Sequence, residues 1–315
     1  MSDGRALPLT ALRVLEACAR HRNFSRVADE LGITPGAVTQ HVRALEEWAG
    51  APLFIRSGRE FLLTENLQNA LPDLSEGFAR LADASRILRA TRREAQVVSV
   101  SAPPSFAAKW LLPRLDGFRA IHPDIEVWVS ADLALVDFGR SSVDLAIRYG
   151  WGIYEGLTAE KLFAETIVPV ASPDYLAQSG PLEAPADLLR CRLLHDMGED
   201  GGVPAPDWTM WFRTRGVTAD AALEGPRYNQ SSLVIDEAVA GKGVALARVA
   251  IAQGDLDSGR LRTVLPDVTE LNQAYWLVWP RHRVMSAPVR AFLSWLSGQT
   301  IAPDQQGASA ELSGS

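Results

Sequence analysis

The sequence predicts a two-part chain. A winged helix-turn-helix and a long linker helix come first, followed by an α/β region large enough for two lobes. Three observations predict it. Two short helices with apolar stripes are joined by a tight turn at Gly32. A leucine-rich run then steps by four and three through residues 65–92. From residue 96 onward, β-branched runs alternate with helical stretches, the pattern of strands linked by crossover helices.

The N-terminal elements follow in order. Residues 8–20, PLTALRVLEACAR, carry Leu9, Leu12, Val14, Leu15 and Ala19 on one helical stripe, with Thr10 expected as the cap. Residues 24–31, FSRVADEL, form a second helix with Ser25 expected as its N-cap and Gly32 as its stop. Thr34 is expected to cap a third helix, with Pro35 at its first position and Gly36 next. That helix runs to Gly50, burying Val38, Val42 and Leu45, with Trp48 continuing the face. Ala28 is small where two helices must approach, and Gly32 supplies the left-handed turn. The second helix of such a pair fits a DNA major groove, although an ordinary helical hairpin shares the spacing. Residues 51–64, APLFIRSGREFLLT, read as two strands around Ser57-Gly58-Arg59, a wing on which Arg56 and Arg59 face phosphates or simply solvent.

Leu67, Leu71, Leu74, Phe78, Leu81 and Leu88 form a narrow seam along residues 65–92, with Ser85 in the remaining seat. A seam this narrow suits a second copy of the same helix; the alternative is packing against its own domain. Pro72 is expected to kink the helix or to mark its start. Beyond it, VVSVSA, IEVWVS, VDLAIRYG, IVPVAS, RLLHDM and VALA read as strands of mostly parallel sheets. Phe106–Arg119 and SSLVIDEAVAG read as helices, AYWLVW as a late returning strand and Ala287–Leu296 as a closing helix. The expected domains are residues 1–64, 65–92 and 93–300, with a disordered tail at 301–315.

Composition bounds the function. Apolar residues make up 47% and charged residues 22% of the 315, near the globular average, which excludes disorder throughout. No apolar run reaches the roughly 18 residues of a membrane span, and MSDGRALPLT holds no signal-peptide core. A cytoplasmic protein with no membrane partner is expected. Cys18 and Cys191 lie far apart without metal spacing, so buried thiols are expected and neither metal nor cofactor. The net charge of −7 opposes nucleic-acid binding, but its distribution does not. Residues 1–93 carry 13 arginines against 11 acidic residues, a net of +2, so the deficit lies in the later region.

Residues 7–93 resemble the LysR-type transcriptional regulators. The carrying stretch is Phe24–Thr64, with ALE at Ala44–Glu46 and PLF at Pro52–Phe54. Downstream, Ser105–Pro123, Val143–Gly150, Ser231–Ala247 and Ala274–Trp279 resemble the branch that includes regulators of glycine cleavage and of β-lactamase induction. The resemblance implies a winged helix-turn-helix, a dimerising linker helix and a two-lobed effector domain of the type 2 periplasmic-binding-protein fold. It also implies dimers or tetramers on double-stranded promoter DNA, a small effector between the lobes, and contact with RNA polymerase. Many members carry Gln where Pro35 stands, and Glu60 occupies a wing position that is often basic.

Within that frame, Gln40 and His41 are candidate base contacts supported by Thr39, since Gln binds adenine in bidentate fashion. Thr34 and Arg43 are candidate phosphate contacts, and Ser25, Pro35 and Gly36, with Arg56 and Arg59 of the wing, complete the expected DNA-binding set. Effector contacts are expected where strands end and helices begin: Ser101, Ser105, Ser130, Arg148 and Tyr149 in one lobe, Asn229, Ser231 and Ser232 in the other, and Tyr275 on the returning strand. Ser105 is expected to cap its helix. Arg148 is expected to fork onto a carboxylate of an amino-acid-like or peptide-like effector, or else to form a structural ion pair. Catalytic motifs are absent: there is no GxSxG, HExxH or phosphate loop, and the five histidines are scattered. His195 and Asp196 are adjacent in sequence but point to opposite faces of a strand. A transporter's solute-binding protein, which shares the two-lobed fold, is opposed by the helix-turn-helix. A DNA-binding regulator without an effector is the nearest alternative.

Overall fold

The computed structural model describes residues 6–57, 60–89, 96–139, 141–198, 205, 207–218, 223–266, 268–281 and 283–299. It divides into two compact units, Met1–Arg89 and Ala90–Ser315.

The first unit begins with α1 (Leu9–His21), α2 (Phe24–Leu31) and α3 (Pro35–Ala49). Val14, Ala17, Cys18, Val27, Ala28, Val38 and Val42 make one core among the three helices. Gly32 takes φ +64° after α2, as the tight turn requires. Thr34 caps α3, its hydroxyl accepting the Ala37 N–H at 3.2 Å, with Pro35 at the first position. Three expectations fail here. Thr10 lies inside α1, which starts after Pro8 without a side-chain cap. Asn23, not Ser25, caps α2, because Asn23 is the extended residue and its carbonyl oxygen accepts the Ser25 and Arg26 amides. Trp48 is exposed, not a continuation of the buried face.

The wing is the antiparallel pair β1 (Phe54–Ser57) and β2 (Glu60–Leu63). The ALE and PLF residues explain its placement. Leu45 and Leu53 share a core with Ala11, Leu15 and Leu67. Glu46 accepts the Leu53 amide at 2.9 Å, and the Thr64 hydroxyl donates to the Leu53 carbonyl at 3.1 Å. Phe61 stacks on Phe24 with ring centroids 4.5 Å apart, joining the wing to the start of α2. The α4 helix (Glu65–Arg89) starts well before Pro72, which sits within it and removes the bond to the Gln68 carbonyl. Leu67 is buried at its base, whereas Leu81 and Leu88 are exposed.

The second unit contains β3 (Val97–Ala102), α5 (Pro104–Phe106), α6 (Leu115–Ile121), β4 (Glu126–Ala131), β5 (Leu145–Gly150), β6 (Leu157–Ala171), α7 (Pro173–Ser179), β7 (Leu193–Asp196), α8 (Trp208–Thr214), β8 (Arg227–Tyr228), α9 (Ser231–Val239), β9 (Val244–Arg248), α10 (Val249–Asp257), β10 (Arg262–Thr263), β11 (Thr269–Pro280) and α11 (Ala287–Ser297). The single helix expected over Phe106–Arg119 is broken. A π segment at Ala107–Leu111 and a 3-10 turn at Leu112–Arg114 separate α5 from α6. Pro113 cannot donate a helical bond, which accounts for the tightened turn.

The strands form one sheet in the order β4-β3-β5-β11-β6-β9-β7-β8, with β10 beside β6. It is mixed, not mostly parallel. β3 is parallel to β4 and β5, and β7 to β8 and β9, but β11 is antiparallel to β5 and β6, and β6 to β9. The two lobes hang on the long strands β6 and β11. Ala274–Val278 of β11 pairs with β5 of the first lobe, and Ile167–Val170 of β6 pairs with β9 of the second. The register between β6 and β11 breaks between Glu270 and Ala274, where one lobe gives way to the other.

Candidate nucleic-acid interface and interlobe site

At about 100° per residue, Gly36, Gln40, Arg43 and Glu47 share the face of α3 opposite Val38, Val42 and Leu45. Gly36, Gln40 and Arg43 are exposed together with Thr34 and Pro35 at the helix start. Thr39 lies at the edge of this face, its hydroxyl donating to the Pro35 carbonyl at 3.1 Å. His41 is half-buried on the opposite flank, away from Gln40's outer face. Ser25 is exposed near the start of α2. Arg56 lies on β1 opposite Phe61, and Arg59 lies outside the described residues. A small residue, an amide side chain and a guanidinium on one exposed face are groups that reach base edges and phosphates.

The predicted effector residues fall on two faces of the sheet. Tyr149 pairs with Tyr275, and Arg148 with Trp276. Tyr149 and Tyr275 lie in the large core with Phe106, their rings 5.1 Å apart. Arg148 alternates to the other face, the side of Ala146, Val278 and Trp276. Its terminal nitrogens donate to the carbonyls of Ser101, Ile147 and Ala134 and, at 2.8 Å, to the Ser101 hydroxyl. Burial pulls its pKa below the ordinary arginine value. The terminal nitrogens of Arg148 are thus engaged by protein acceptors, its Nε is buried without a hydrogen-bond partner, and it forms no ion pair among the described residues. It ties β5 to β3 and to the loop after β4. Ser101 goes with it, and Ser130, exposed on β4, is the registered neighbour of Ser101.

The other face gathers the remaining residues. Ser105 does not cap α5, whose N-cap is Pro103. Its hydroxyl instead accepts the Ser232 amide at 3.1 Å and lies 3.3 Å from the Ser232 hydroxyl, joining the lobes at the start of α9. Lys109 reinforces the junction with Asp236 at 2.6 Å and Asp255 at 3.2 Å. Beside this, Arg248 donates to the Ser231 hydroxyl, Ser231 donates to Asp196, and Arg248 lies 3.7 Å from the Asp196 carboxylate. The Arg248 guanidinium also covers the Tyr149 ring at 4.7 Å. Glu165, at the handover point of β6, is fully buried and accepts the amides of Thr166 and Ala250 at 2.9 and 3.3 Å. Burial pushes its carboxyl up to about 7 against the pull of Arg248, and burial pushes the Tyr149 hydroxyl up to about 12. Asn229 is exposed outside this group. Arg248 and Glu165 escaped the sequence reading. The clue to Arg248 was a cation directly following the strand VALA, and the clue to Glu165 was an acid separated only by Thr166 from the apolar run IVPVA.

Comparison with known proteins places both parts. Residues 9–66 match the bacterial regulatory helix-turn-helix protein, lysR family, and residues 91–300 match the LysR substrate binding domain. The chain belongs to the LysR family. This LysR-family regulator is 38% identical over 302 residues to the glycine cleavage system transcriptional activator of Escherichia coli (strain K12), spanning 96% of this chain and 97% of that protein. It is 37% identical over 292 residues to the HTH-type transcriptional activator AmpR of Pseudomonas aeruginosa, spanning 92% and 95%. The effector domain of that AmpR matches with a TM-score of 0.53 at 32% identity, covering 64% of this chain and 94% of that one. CrgA, a LysR-type regulator from Neisseria meningitidis, shares the fold with a TM-score of 0.52 at 22% identity, covering 93% and 98%. The LysR-family regulator is thus a DNA-binding transcriptional regulator with a substrate-binding domain, and not an enzyme. Among the described residues, no helix is long and apolar enough to cross a membrane.

Proposed function

We propose that this regulator reads a short, partly palindromic promoter site through Thr34–Arg43 and the wing, and that a small amino-acid-like effector held where the lobes meet controls it. The carrying observation is the buried group around Arg248. Arg248 Nε, Glu165 Oε2 and the Tyr149 hydroxyl are buried without a hydrogen-bond partner. Such groups are costly until paired. A ligand bearing both a carboxylate and an ammonium group pairs with them, the carboxylate with Arg248 and the ammonium with Glu165. On this reading Arg248, which lies over Tyr149 and beside Ser231, takes the effector carboxylate, while Arg148, whose Nε is likewise buried without a partner, lies on the other face of the sheet. Ser105, Ser231, Ser232, Tyr149 and Tyr275 surround the effector.

The regulator acts in the cytoplasm as a dimer or tetramer joined through α4, and effector binding changes its contact with RNA polymerase. Domain boundaries near residues 64 and 92 separate the DNA reader, the linker and the effector domain. The direct Ser105–Ser232 bond favours a second reading, in which the lobes stay shut and no small molecule enters. Thermal unfolding of the full chain with α-amino acids and dipeptides decides between the two readings. Matched amines lacking the carboxylate and acids lacking the amine serve as controls. Stabilisation only by compounds carrying both groups supports the first reading. Equal stabilisation by the acids alone, or none by any compound, overturns it.

A further inference from the structure

Side chains on β7 alternate between two cores. Leu193 packs with Trp208, Trp211, Phe212 and Leu246, on the side of α8. Leu194 packs with Val234, Ile235 and Ala238 of α9, and Asp196, on that same side, reaches Ser231. His195 therefore points toward α8, away from Ser231 and Arg248. It lies at a cavity of about 390 Å³ whose walls include Trp208, Leu223, Leu246, Met197 and Arg227.

His195 is 9% exposed. Its ring bonds to the Glu224 carbonyl, and its Nε2 has no hydrogen-bond partner, so the bond to Glu224 uses Nδ1. Burial and the nearby Arg227 hold the imidazole below its ordinary pKa. The neutral ring then donates from Nδ1 and offers a bare acceptor at Nε2. Gly225 fixes the ring edge, since a Cβ there would lie 3.1 Å from His195 Cδ2 and 1.9 Å from the Leu193 carbonyl oxygen. Trp208 is fixed as well, its indole N–H donating to the Leu194 carbonyl at 2.9 Å. Arg227 is exposed, with its guanidinium 3.7 Å from the Met197 sulfur and no ion pair among the described residues. Two acids also line the cavity: Asp207 accepts the Met210 amide as the N-cap of α8, and Asp196 accepts from the Ser231 hydroxyl.

We propose that this cavity is a second ligand site, separate from the interlobe site, for a small cyclic or aromatic acid that also carries a hydroxyl or N–H donor. The donor meets His195 Nε2, the ring lies against Trp208 and Leu246, and the acid faces Arg227. A cavity of this size is within the range of small-molecule sites. The large majority of buried polar side-chain atoms are hydrogen-bonded, so the bare Nε2 facing the cavity calls for a donor.

The test uses 4-hydroxybenzoate as the probe on the full chain, following the His195 ring resonances by NMR and the affinity by calorimetry. The expected result is saturable movement of the His195 signals below about 10 mM, with benzoate, 4-hydroxybenzyl alcohol and the Arg227→Gln variant each about 10-fold weaker. Arg227 is exposed, so that variant keeps the fold. Unmoved His195 signals at about 10 mM of both hydroxylated probes overturn the proposal. Equal affinity for benzoate together with undiminished binding by Arg227→Gln overturns it equally.

Discussion

The Ser105 hydroxyl of the first lobe accepts a hydrogen bond from the Ser232 amide of the second at 3.1 Å. The bond satisfies an orphan N–H at the start of α9, a service usually rendered by a cap on the same chain segment. Here the cap comes from 127 residues away, so the helix end reports on the distance between lobes. Ser105→Ala is expected to lower stability by about 1 kcal/mol and to loosen the lobes. Denaturant unfolding measures the first effect, and amide exchange at Ser232 the second. Unchanged protection of that amide would show that another group takes over.

Glu165 gives a pH signature. Its folded pKa, about 7, lies above the ordinary carboxylate value, so the folded state holds the proton more tightly than the unfolded chain. Its contribution to stability is greatest at low pH and falls as pH rises between the unfolded and folded values. Groups facing it are the Arg248 guanidinium and the backbone amides of Thr166, Val249 and Ala250. Glu165→Gln is expected to remove this slope, so its stability relative to the native chain rises by on the order of 2 kcal/mol from pH 5 to pH 8. Parallel unfolding curves at both pH values would contradict the assignment.

Gln40 and Arg43 are expected to separate base reading from phosphate attraction. Gln40→Ala should cost about 1–3 kcal/mol at one base position and little elsewhere. Arg43→Ala should weaken all sequences alike and lower the salt slope by about one, and Arg59→Ala should do the same. Binding to a set of single-base operator variants at two or more salt concentrations checks both. A base-selective loss in Arg43→Ala would reverse the roles.

Gly32→Ala introduces a side chain at φ +64° where no neighbour lies within 4 Å, so only backbone strain changes. A loss of about 1 kcal/mol is expected, read as a lower unfolding midpoint of the DNA-binding unit.

Leu81 and Leu88 are exposed on α4 although the heptad pattern places them in an apolar seam. Leu81→Glu combined with Leu88→Glu is expected to shift the protein toward the monomer in light scattering. An unchanged mass would leave α4 out of the assembly.

The N-terminal unit was legible because its signals are local: Gly32, Thr34, Pro35 and the spacing of Val38, Val42 and Leu45 act over one or two turns. Ser25 and Asn23 are both good caps, and only the extended backbone at Asn23 decides between them. The mixed sheet was less legible. IVPVA is only the second half of β6, and its first half, LTAEKLFA, alternates too weakly to read as a strand. The site was half-legible for a related reason. Arg148 lies within one apolar strand and Arg248 ends another, and composition cannot rank them. The pairing of Tyr149 with Tyr275 sets the face, and that pairing spans 126 residues of chain.

Because β6 and β11 each lend one end to the first lobe and the other to the second, neither lobe is a contiguous piece of sequence. A gene fragment encoding one lobe would leave cut strand edges with unpaired amides and carbonyls. Recombination, natural or engineered, must therefore exchange the lobes together.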